Sequence, residues 1–280
     1  MNSDRDVTRL PVFVADAFHA GPFSGNPAAV VPLDYWLPDA TLQAIAEQHN
    51  LAETAFVLVH PDESGLRPLR WFTPAREVRF CGHATLATAS VLGDVLGFGG
   101  EEFGFNALVG ELRCTRGQDG AWYLDAPADL PRPAPELRGH LARAVRRDDL
   151  STEACFRGSD DALVVLDDVR DVEALEIDDA AVRSLDARGV IVTAAVAGSD
   201  LDVVSRCFYP EFGVDEDAAT GSAHACLGPL WASRLGRTEL RCRQASRRGG
   251  HLLVDATDAP AGRVRVGGHV RLYLQGQIAF

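Results

Sequence analysis

The chain has 280 residues, of which 46% are hydrophobic and 24% charged. This composition is typical of a protein that folds around its own apolar core without disulfides or metals. The net charge of −13 argues against nucleic acid or an anionic membrane as a partner, because an acidic surface is repelled by both. No apolar stretch is long enough to cross a bilayer and the first residues lack a signal-peptide pattern, so we expect a cytoplasmic protein.

The basic residues exclude three classes of protein. All 27 of them are arginine, and none is lysine. Pyridoxal-phosphate enzymes and Schiff-base aldolases need a lysine to form the imine, and a Walker A loop needs one on the nucleotide phosphates.

Metals, cofactors and disulfides are not expected either. The six cysteines contain no Cys-x-x-Cys pair, so we interpret them as buried reduced thiols. The eight histidines form no zinc-binding grouping, and the glycines form no dinucleotide-binding fingerprint. We therefore predict a protein that binds neither a metal nor a cofactor.

Strands dominate the predicted secondary structure. Short runs rich in aromatic and β-branched residues are separated by glycine, proline, aspartate and asparagine. In chain order the predicted strands cover residues 10–16, 54–59, 69–72, 108–114, 121–125, 162–166, 190–196, 201–209, 239–243, 252–255, 263–266 and 270–274. Helices are predicted over 38–50, 135–145 and 178–187, with Asp39 as the N-cap of the first and Asn50 at its end.

Two further helices are predicted to begin at Gly82 and Gly221, half a chain length apart. Each carries almost no charge over ten residues, and a helix without a charged face is usually buried on all sides. This pattern predicts a duplicated α+β unit, in which a curved sheet wraps around one buried helix. The proline-rich stretch 127–135 is the predicted linker between the two units.

The starts of these two helices are candidate ligand sites. A helix start exposes unpaired backbone N–H groups and a partial positive charge, which together bind a carboxylate or a phosphate. Cys81 and His83 flank the first start, and Asp217 precedes the second. We expect the two starts to face each other across a cleft between the domains.

Six segments, in this order, carry a resemblance to a known family: FVADAF (13–18), GNPAAV (25–30), NLAETAFV (50–57), WFTP (71–74), FCGHAT (80–85) and EDAATGSA (216–223). The ordered set resembles the PhzF-like isomerases, the phenazine-biosynthesis group with the diaminopimelate epimerase fold. The resemblance implies two pseudo-symmetric domains, each a barrel-like, mainly antiparallel sheet around a central helix. It places the first domain at 1–127 and the second at 128–266, with the last strand, about 267–280, returning to the first. It also implies a homodimer.

The resemblance further implies a cofactor-independent isomerase that transfers a proton on a small carboxylate-bearing metabolite in the interdomain cleft. Glu53 matches the general acid/base of the family, and we expect burial beside apolar residues to raise its pKa. The other implied catalytic residues are His83 and Asp217. The implied substrate-binding residues are Cys81, Gly82, Thr220, Gly221 and Ser222.

Alternatives remain open at this point. Related epimerases use two thiols, one at each helix start, whereas this chain has Cys81 at the first and Asp217 at the second. An amino-acid racemase or epimerase would use this pair, with a low-pKa thiolate at the helix start. A non-catalytic homologue that only binds a small molecule is the other alternative.

Single residues also have simpler interpretations. Asp217 would fit a helix N-cap, and Cys81 would fit a thiol packed in the core. Ala218 replaces the proline usual in the family's second motif, which removes a fixed φ angle but no reactive group.

Overall fold

The computed structural model describes residues 7–210 and 214–280. In this part the strands are β1 (Arg9–Ala17), β2 (Asn26–Leu33), β3 (Glu53–Leu58), β4 (Arg67–Phe72), β5 (Glu77–Val78), β6 (Glu102–Ala107), β7 (Gly110–Arg116), β8 (Trp122–Pro127), β9 (Arg132–Pro133), β10 (Cys155–Arg157), β11 (Ala162–Val165), β12 (Val190–Ala195), β13 (Val203–Phe208), β14 (Glu239–Gln244), β15 (Gly250–Asp255), β16 (Arg263–Gly268) and β17 (Val270–Ala279). The α-helices are α1 (Asp39–His49), α2 (Gly82–Ser90), α3 (Arg138–Ala144), α4 (Val169–Glu173), α5 (Asp179–Arg183) and α6 (Gly221–Leu235).

The chain divides into two compact units. The first contains the residues up to His19 together with Asn26–Leu124 and His269–Phe280. The second contains Ala20–Gly25 and Asp125–Gly268. Residues 1–6 of the first predicted domain lie outside the described residues. Within the described residues, no helix has the length and apolar character needed to cross a membrane.

In the first unit the last strand lies beside the first one. β1 pairs antiparallel with β17, from Arg9 opposite Ala279 to Ala17 opposite Val270, and it pairs antiparallel with β2 as well. The next pairs are β2–β3 (parallel), β3–β4 (antiparallel), β4–β6 (parallel) and β6–β7 (antiparallel). A parallel pair needs a crossover connection, and α1 and α2 lie in the two crossovers of this unit.

The second unit repeats this order of pairings. Its pairs are β10–β11 (antiparallel), β11–β12 (parallel), β12–β13 (antiparallel), β13–β14 (parallel) and β14–β15 (antiparallel). Helices α4 and α5 lie in the first crossover and α6 in the second. The same strand–helix arrangement therefore occurs twice in the chain, as the predicted α+β fold of two similar domains requires.

Burial explains why α2 and α6 lack a charged face. Every residue of α2 from His83 to Ser90 is buried. In α6 the buried residues run from Ala223 to Pro229, and Trp231 is buried as well. A β-carbon on Gly228 of α6 would come 2.5 Å from Cγ1 of Val254 on β15. Small residues thus let the sheet approach the helix closely, which confirms the prediction of buried helices.

The other helix predictions are right in position but wrong in detail. Pro38, not Asp39, occupies the N-cap of α1, and Asp39 instead pairs with Arg70 at 2.9 Å. Asn50 does end α1, in the left-handed conformation. The helix predicted over 135–145 is a 3-10 turn followed by α3, and the one predicted over 178–187 is the shorter α5.

Each predicted strand overlaps an observed one, but several observed strands were not predicted. The longest of these, β2, contains Pro27 and Pro32 and is buried on both faces. A strand buried on both faces shows no alternation of apolar and polar residues, and proline argues against a strand interior. The predicted linker 127–135 contains the short strand β9, which pairs with β10.

Candidate active site

The predicted site residues fall into two groups. Glu53, Cys81, Gly82 and His83 belong to the first unit, and Asp217, Thr220, Gly221 and Ser222 belong to the second.

In the first group, a histidine ring lies between a carboxylate and a thiol. Glu53 is the first residue of β3, Cys81 is the N-cap of α2, and His83 lies in the first turn of that helix. Nε2 of His83 lies 3.2 Å from Oε2 of Glu53, and Nδ1 of His83 lies 3.5 Å from Sγ of Cys81. The side chains of His83 and Glu53 are only 10% and 19% exposed. The fold therefore brings together three residues that are far apart in the sequence.

Local structure fixes the two elements that carry these side chains. The start of β3 is held on one side by β2, where Glu53 lies opposite Ala28. Cys81 has an extended backbone, and its carbonyl accepts a hydrogen bond from the hydroxyl of Thr85 at 2.6 Å. This bond closes the first turn of α2, where both Cys81 and His83 are located.

Glu53 and His83 control each other's protonation. Burial alone would raise the pKa of Glu53, but the charge of His83 and the Cys81 thiol outweigh it, so the pKa is lowered. Burial likewise opposes the charged form of His83, but Cys81 and Glu53 raise its pKa well above the usual value. The predicted rise in the pKa of Glu53 is therefore wrong, because His83 lies within ion-pair distance. Near neutral pH the pair is a carboxylate and an imidazolium.

Cys81 is not a low-pKa thiol. Burial raises its pKa most, and the negative charge of Glu53 raises it further. His83 and the backbone N–H of Ala84 act in the opposite direction. The thiolate predicted from the helix start is therefore wrong, because at this buried position desolvation exceeds the effect of the helix terminus.

In the second group, Asp217 and Thr220 form a turn that leads into α6. The hydroxyl of Thr220 donates to Oδ2 of Asp217 at 2.5 Å, and Thr220 itself is the N-cap. The N-cap alternative for Asp217 is therefore wrong.

The hydroxyl of Ser222 accepts a hydrogen bond from Arg188 at 3.1 Å. Ala218, where the family usually has proline, is tied down by the hydroxyl of Ser246, which donates to its carbonyl at 2.6 Å.

Sequence analysis missed Gln244, which holds this turn in place. Its side chain is fully buried on β14. Its amide nitrogen donates to the carbonyl of Asp217 at 2.8 Å and to the hydroxyl of Thr220 at 3.1 Å. Its amide oxygen accepts from the backbone N–H of Thr220 at 2.8 Å. No local motif marks such a residue, because its partners lie more than twenty positions away in the sequence.

Sequence analysis also missed Arg188, which borders the first turn of α6. Its guanidinium pairs with the buried Asp161 and stacks over the ring of Tyr209 at 4.9 Å. An arginine with a buried carboxylate partner and a serine contact is a positioned cation rather than a solvated surface charge. A single arginine among 27 carries no sequence signal of this role.

Comparison with known proteins identifies the family. The model of the phenazine biosynthesis-like (PhzC-PhzF) family matches residues 15–276. A Pseudomonas aeruginosa protein named as an uncharacterized isomerase is 45% identical over 270 residues, which cover 96% of this chain and 98% of that protein. The chain belongs to the PhzC-PhzF family. The resemblance found in the sequence segments is thereby confirmed, and the chain is an isomerase.

Solved structures confirm the fold class. The crystal structure of a PhzF-family protein from Enterococcus faecalis matches with a TM-score of 0.87 at 39% identity, over 97% of this chain and 99% of that one. A hydroxyproline epimerase from Agrobacterium vitis matches with a TM-score of 0.56 at 13% identity, over 97% and 91% of the two chains. The second likeness concerns the fold alone.

Proposed function

We propose that this isomerase moves a proton within a small carboxylate-bearing metabolite and needs no cofactor, with Glu53 as the group that takes up and returns the proton. The observation that supports this most directly is the contact between Glu53 and His83 at 3.2 Å, in a setting from which most water is excluded. A general acid/base must lie where it can exchange a proton with the substrate rather than with bulk water.

The lowered pKa of Glu53 sets the order of the steps. The residue begins as a carboxylate, so its first step is to accept a proton from a substrate carbon. Once it is protonated, its attraction to the imidazolium of His83 is lost, which favours the return of the proton to a second position on the substrate. His83 contributes to catalysis through Glu53, by holding the carboxylate in place and in its charged form.

The helix starts support a carboxylate-bearing substrate. α2 and α6 begin at Gly82 and Gly221, and neither N-cap side chain forms a capping hydrogen bond with the first backbone N–H groups. The hydroxyls of Thr220 and Ser222 are further contact groups, and we propose Asp217 as a catalytic or substrate-contacting residue. The cytoplasmic location and the homodimer stay predictions.

Substitution of Glu53 by glutamine tests the proposal. The amide is close to the carboxylate in size but cannot carry the proton, so we expect the rate to fall about 100- to 10,000-fold with the fold retained. The rate is measured as deuterium uptake from heavy water by compounds that the wild type turns over. Glu47→Gln is the matched control, because Glu47 is an exposed glutamate on the neighbouring α1. A Glu53→Gln rate within about threefold of the wild-type rate would refute the assignment.

A second candidate function is an amino-acid racemase that uses Cys81 and Asp217. The contact of 3.5 Å between Sγ of Cys81 and Nδ1 of His83 favours it, because a positively charged histidine beside the sulfur stabilises a thiolate. The raised pKa of the thiol is the argument against it. The two reactions differ in their product, since a racemase inverts a stereocentre and leaves every double bond in place. Absence of deuterium uptake with every bound compound would instead support a non-catalytic binding protein.

A further inference from the structure

One cluster in the first unit combines three kinds of metal ligand. A carboxylate oxygen of Glu53, the sulfur of Cys81 and a ring nitrogen of His83 all lie within 4.8 Å of one another. All three side chains are mostly buried. Among residues 7–210 and 214–280, no other group of three such side chains meets this distance.

Two atoms of the cluster lack a well-formed hydrogen bond. Oε2 of Glu53 and Nε2 of His83 are buried, and among the described residues neither has a hydrogen-bond partner. They lie 3.2 Å apart, which is an ion-pair distance, but the N–H is not aligned with the oxygen. Buried polar atoms are normally paired, and a group bound beside this ion pair would give both atoms a further partner.

The donor set fits zinc better than other common cations. Zinc takes thiolate, imidazole and carboxylate ligands, whereas magnesium and calcium prefer oxygen alone. In a tetrahedral zinc site, bonds of ordinary length place neighbouring donor atoms about 3.3 to 3.6 Å apart. Only one ring nitrogen of His83 would bind the metal. The 3.2 Å from its Nε2 to Oε2 of Glu53 is close to this spacing, and one donor atom of each of the three residues lies within 4.8 Å of the other two.

We propose that Glu53, Cys81 and His83 form a three-ligand Zn²⁺ site, and that zinc bound there stops proton transfer. Zinc displaces the thiol proton of Cys81 and one ring proton of His83, and both protons pass to solvent. Three protein ligands leave the fourth position of the metal open to water or to a substrate group. The inhibitory part rests on the proposed function of Glu53, because a carboxylate that coordinates zinc no longer accepts a proton from a carbon atom. The binding part rests only on the cluster.

Cobalt titration of the full chain tests the binding part without any assay of activity. Co²⁺ replaces Zn²⁺ in such sites, and a cysteine ligand gives a thiolate-to-cobalt charge-transfer band in the near ultraviolet. We expect one equivalent of Co²⁺ to produce this band and one equivalent of Zn²⁺ to abolish it. Cys81→Ser should lose the band and bind Zn²⁺ at least about 100-fold more weakly, since loss of an outer-shell partner alone costs 10- to 100-fold.

Cys114→Ser is the matched control. Cys114 is another fully buried cysteine of the first unit, on β7, and its variant should keep the band. If Cys81→Ser does not fold, Glu53→Gln serves in its place and should weaken zinc binding because an amide is a poorer ligand than a carboxylate. The proposal is overturned if the wild type shows no band, or if the band survives in Cys81→Ser.

Inhibition is measured separately, as the loss of deuterium exchange on adding one equivalent of Zn²⁺ and its recovery with a chelator. Wild type that binds zinc but exchanges at its full rate would overturn the inhibitory part. Wild type that shows no exchange even without metal would contradict the proposed function of Glu53. The cobalt titration would still decide whether the metal site exists.

Discussion

The charges of Glu53 and His83 depend on a distance that only the folded chain provides. The motifs identified both residues as site residues, but they implied the wrong pKa for Glu53. A raised pKa follows from burial alone, whereas the lowered pKa follows from an imidazolium 3.2 Å away. Thirty positions separate the two residues in the sequence, and no local pattern indicates that their side chains are in contact.

This ion pair should give a characteristic dependence of stability on pH. The folded-state pKa of Glu53 lies below its usual value of 4.5, so its contribution is present above pH 4.5 and is lost as the pH falls through the folded-state pKa. The folded-state pKa of His83 lies above 6.5, so its contribution is present below pH 6.5 and is lost as the pH rises through the folded-state pKa. We expect the Tm difference between wild type and His83→Gln to be largest between pH 4.5 and 6.5. A difference that grows steadily from acid to alkaline pH would contradict the ion pair.

Replacing Cys81 by serine distinguishes the two candidate mechanisms. If Glu53 moves the proton, the variant should lose about 1 kcal/mol of stability and stay within tenfold of the wild-type rate, as for a conservative buried change. If Cys81 is the acid/base of a racemase, the rate should fall by about three orders of magnitude. Iodoacetamide should then inactivate the wild type, and a bound ligand should protect it. Ligand-protected alkylation together with such a loss of rate would replace the Glu53 mechanism.

At the scale of the elements, the two uncharged helices were the most predictable feature, because a helix that is buried on all sides has almost no charged residues in its sequence. β2 was not predictable, since its prolines and its two buried faces remove the usual strand pattern. The Asp217–Thr220 turn lies in a recognisable motif, but Gln244, which holds it, comes from a distant strand. Hydrogen bonds of this kind depend on which strands the fold places side by side, and a local sequence pattern does not contain that information.

Two glycine-to-alanine substitutions should measure how closely α6 and its sheet approach. In Gly228→Ala the new methyl group meets Val254 at 2.5 Å, so we expect a net loss of about 1 to 2 kcal/mol, from overpacking of about 1 to 3 kcal/mol partly offset by the better helix propensity. Gly139→Ala on α3 is the control, because no atom lies within 4 Å of its new methyl group. We expect it to gain about 0.5 to 1 kcal/mol. Denaturant unfolding of both variants measures the two changes in the free energy of unfolding, which we expect to have opposite signs. Equal changes would show that the packing between α6 and β15 accommodates an extra methyl group.

At the scale of the whole molecule, net charge and ligand binding act in opposite directions. The charge of −13 repels an anionic metabolite at long range, so binding must come from local donors such as helix N–H groups and arginine side chains. We expect dicarboxylates or anthranilate-like compounds to raise the Tm. At a ligand concentration 100 times the Kd, this stabilisation is about 2.7 kcal/mol. The corresponding amides, which lack the charge, are the control. No shift across the panel, or equal shifts with the amides, would contradict a carboxylate site.

The pairing of β1 with β17 has a consequence for biosynthesis. The two strands lie side by side from Arg9 opposite Ala279 to Ala17 opposite Val270, so the neighbour of the first strand is synthesised only after the whole second unit. At translation rates of about 5 to 20 residues per second, β1 waits about 15 to 50 seconds for its partner. During that time its buried residues have no complete sheet to join, and a chaperone has the opportunity to hold them. The second unit, whose strands are made within one continuous stretch, is able to form before the first unit receives β17.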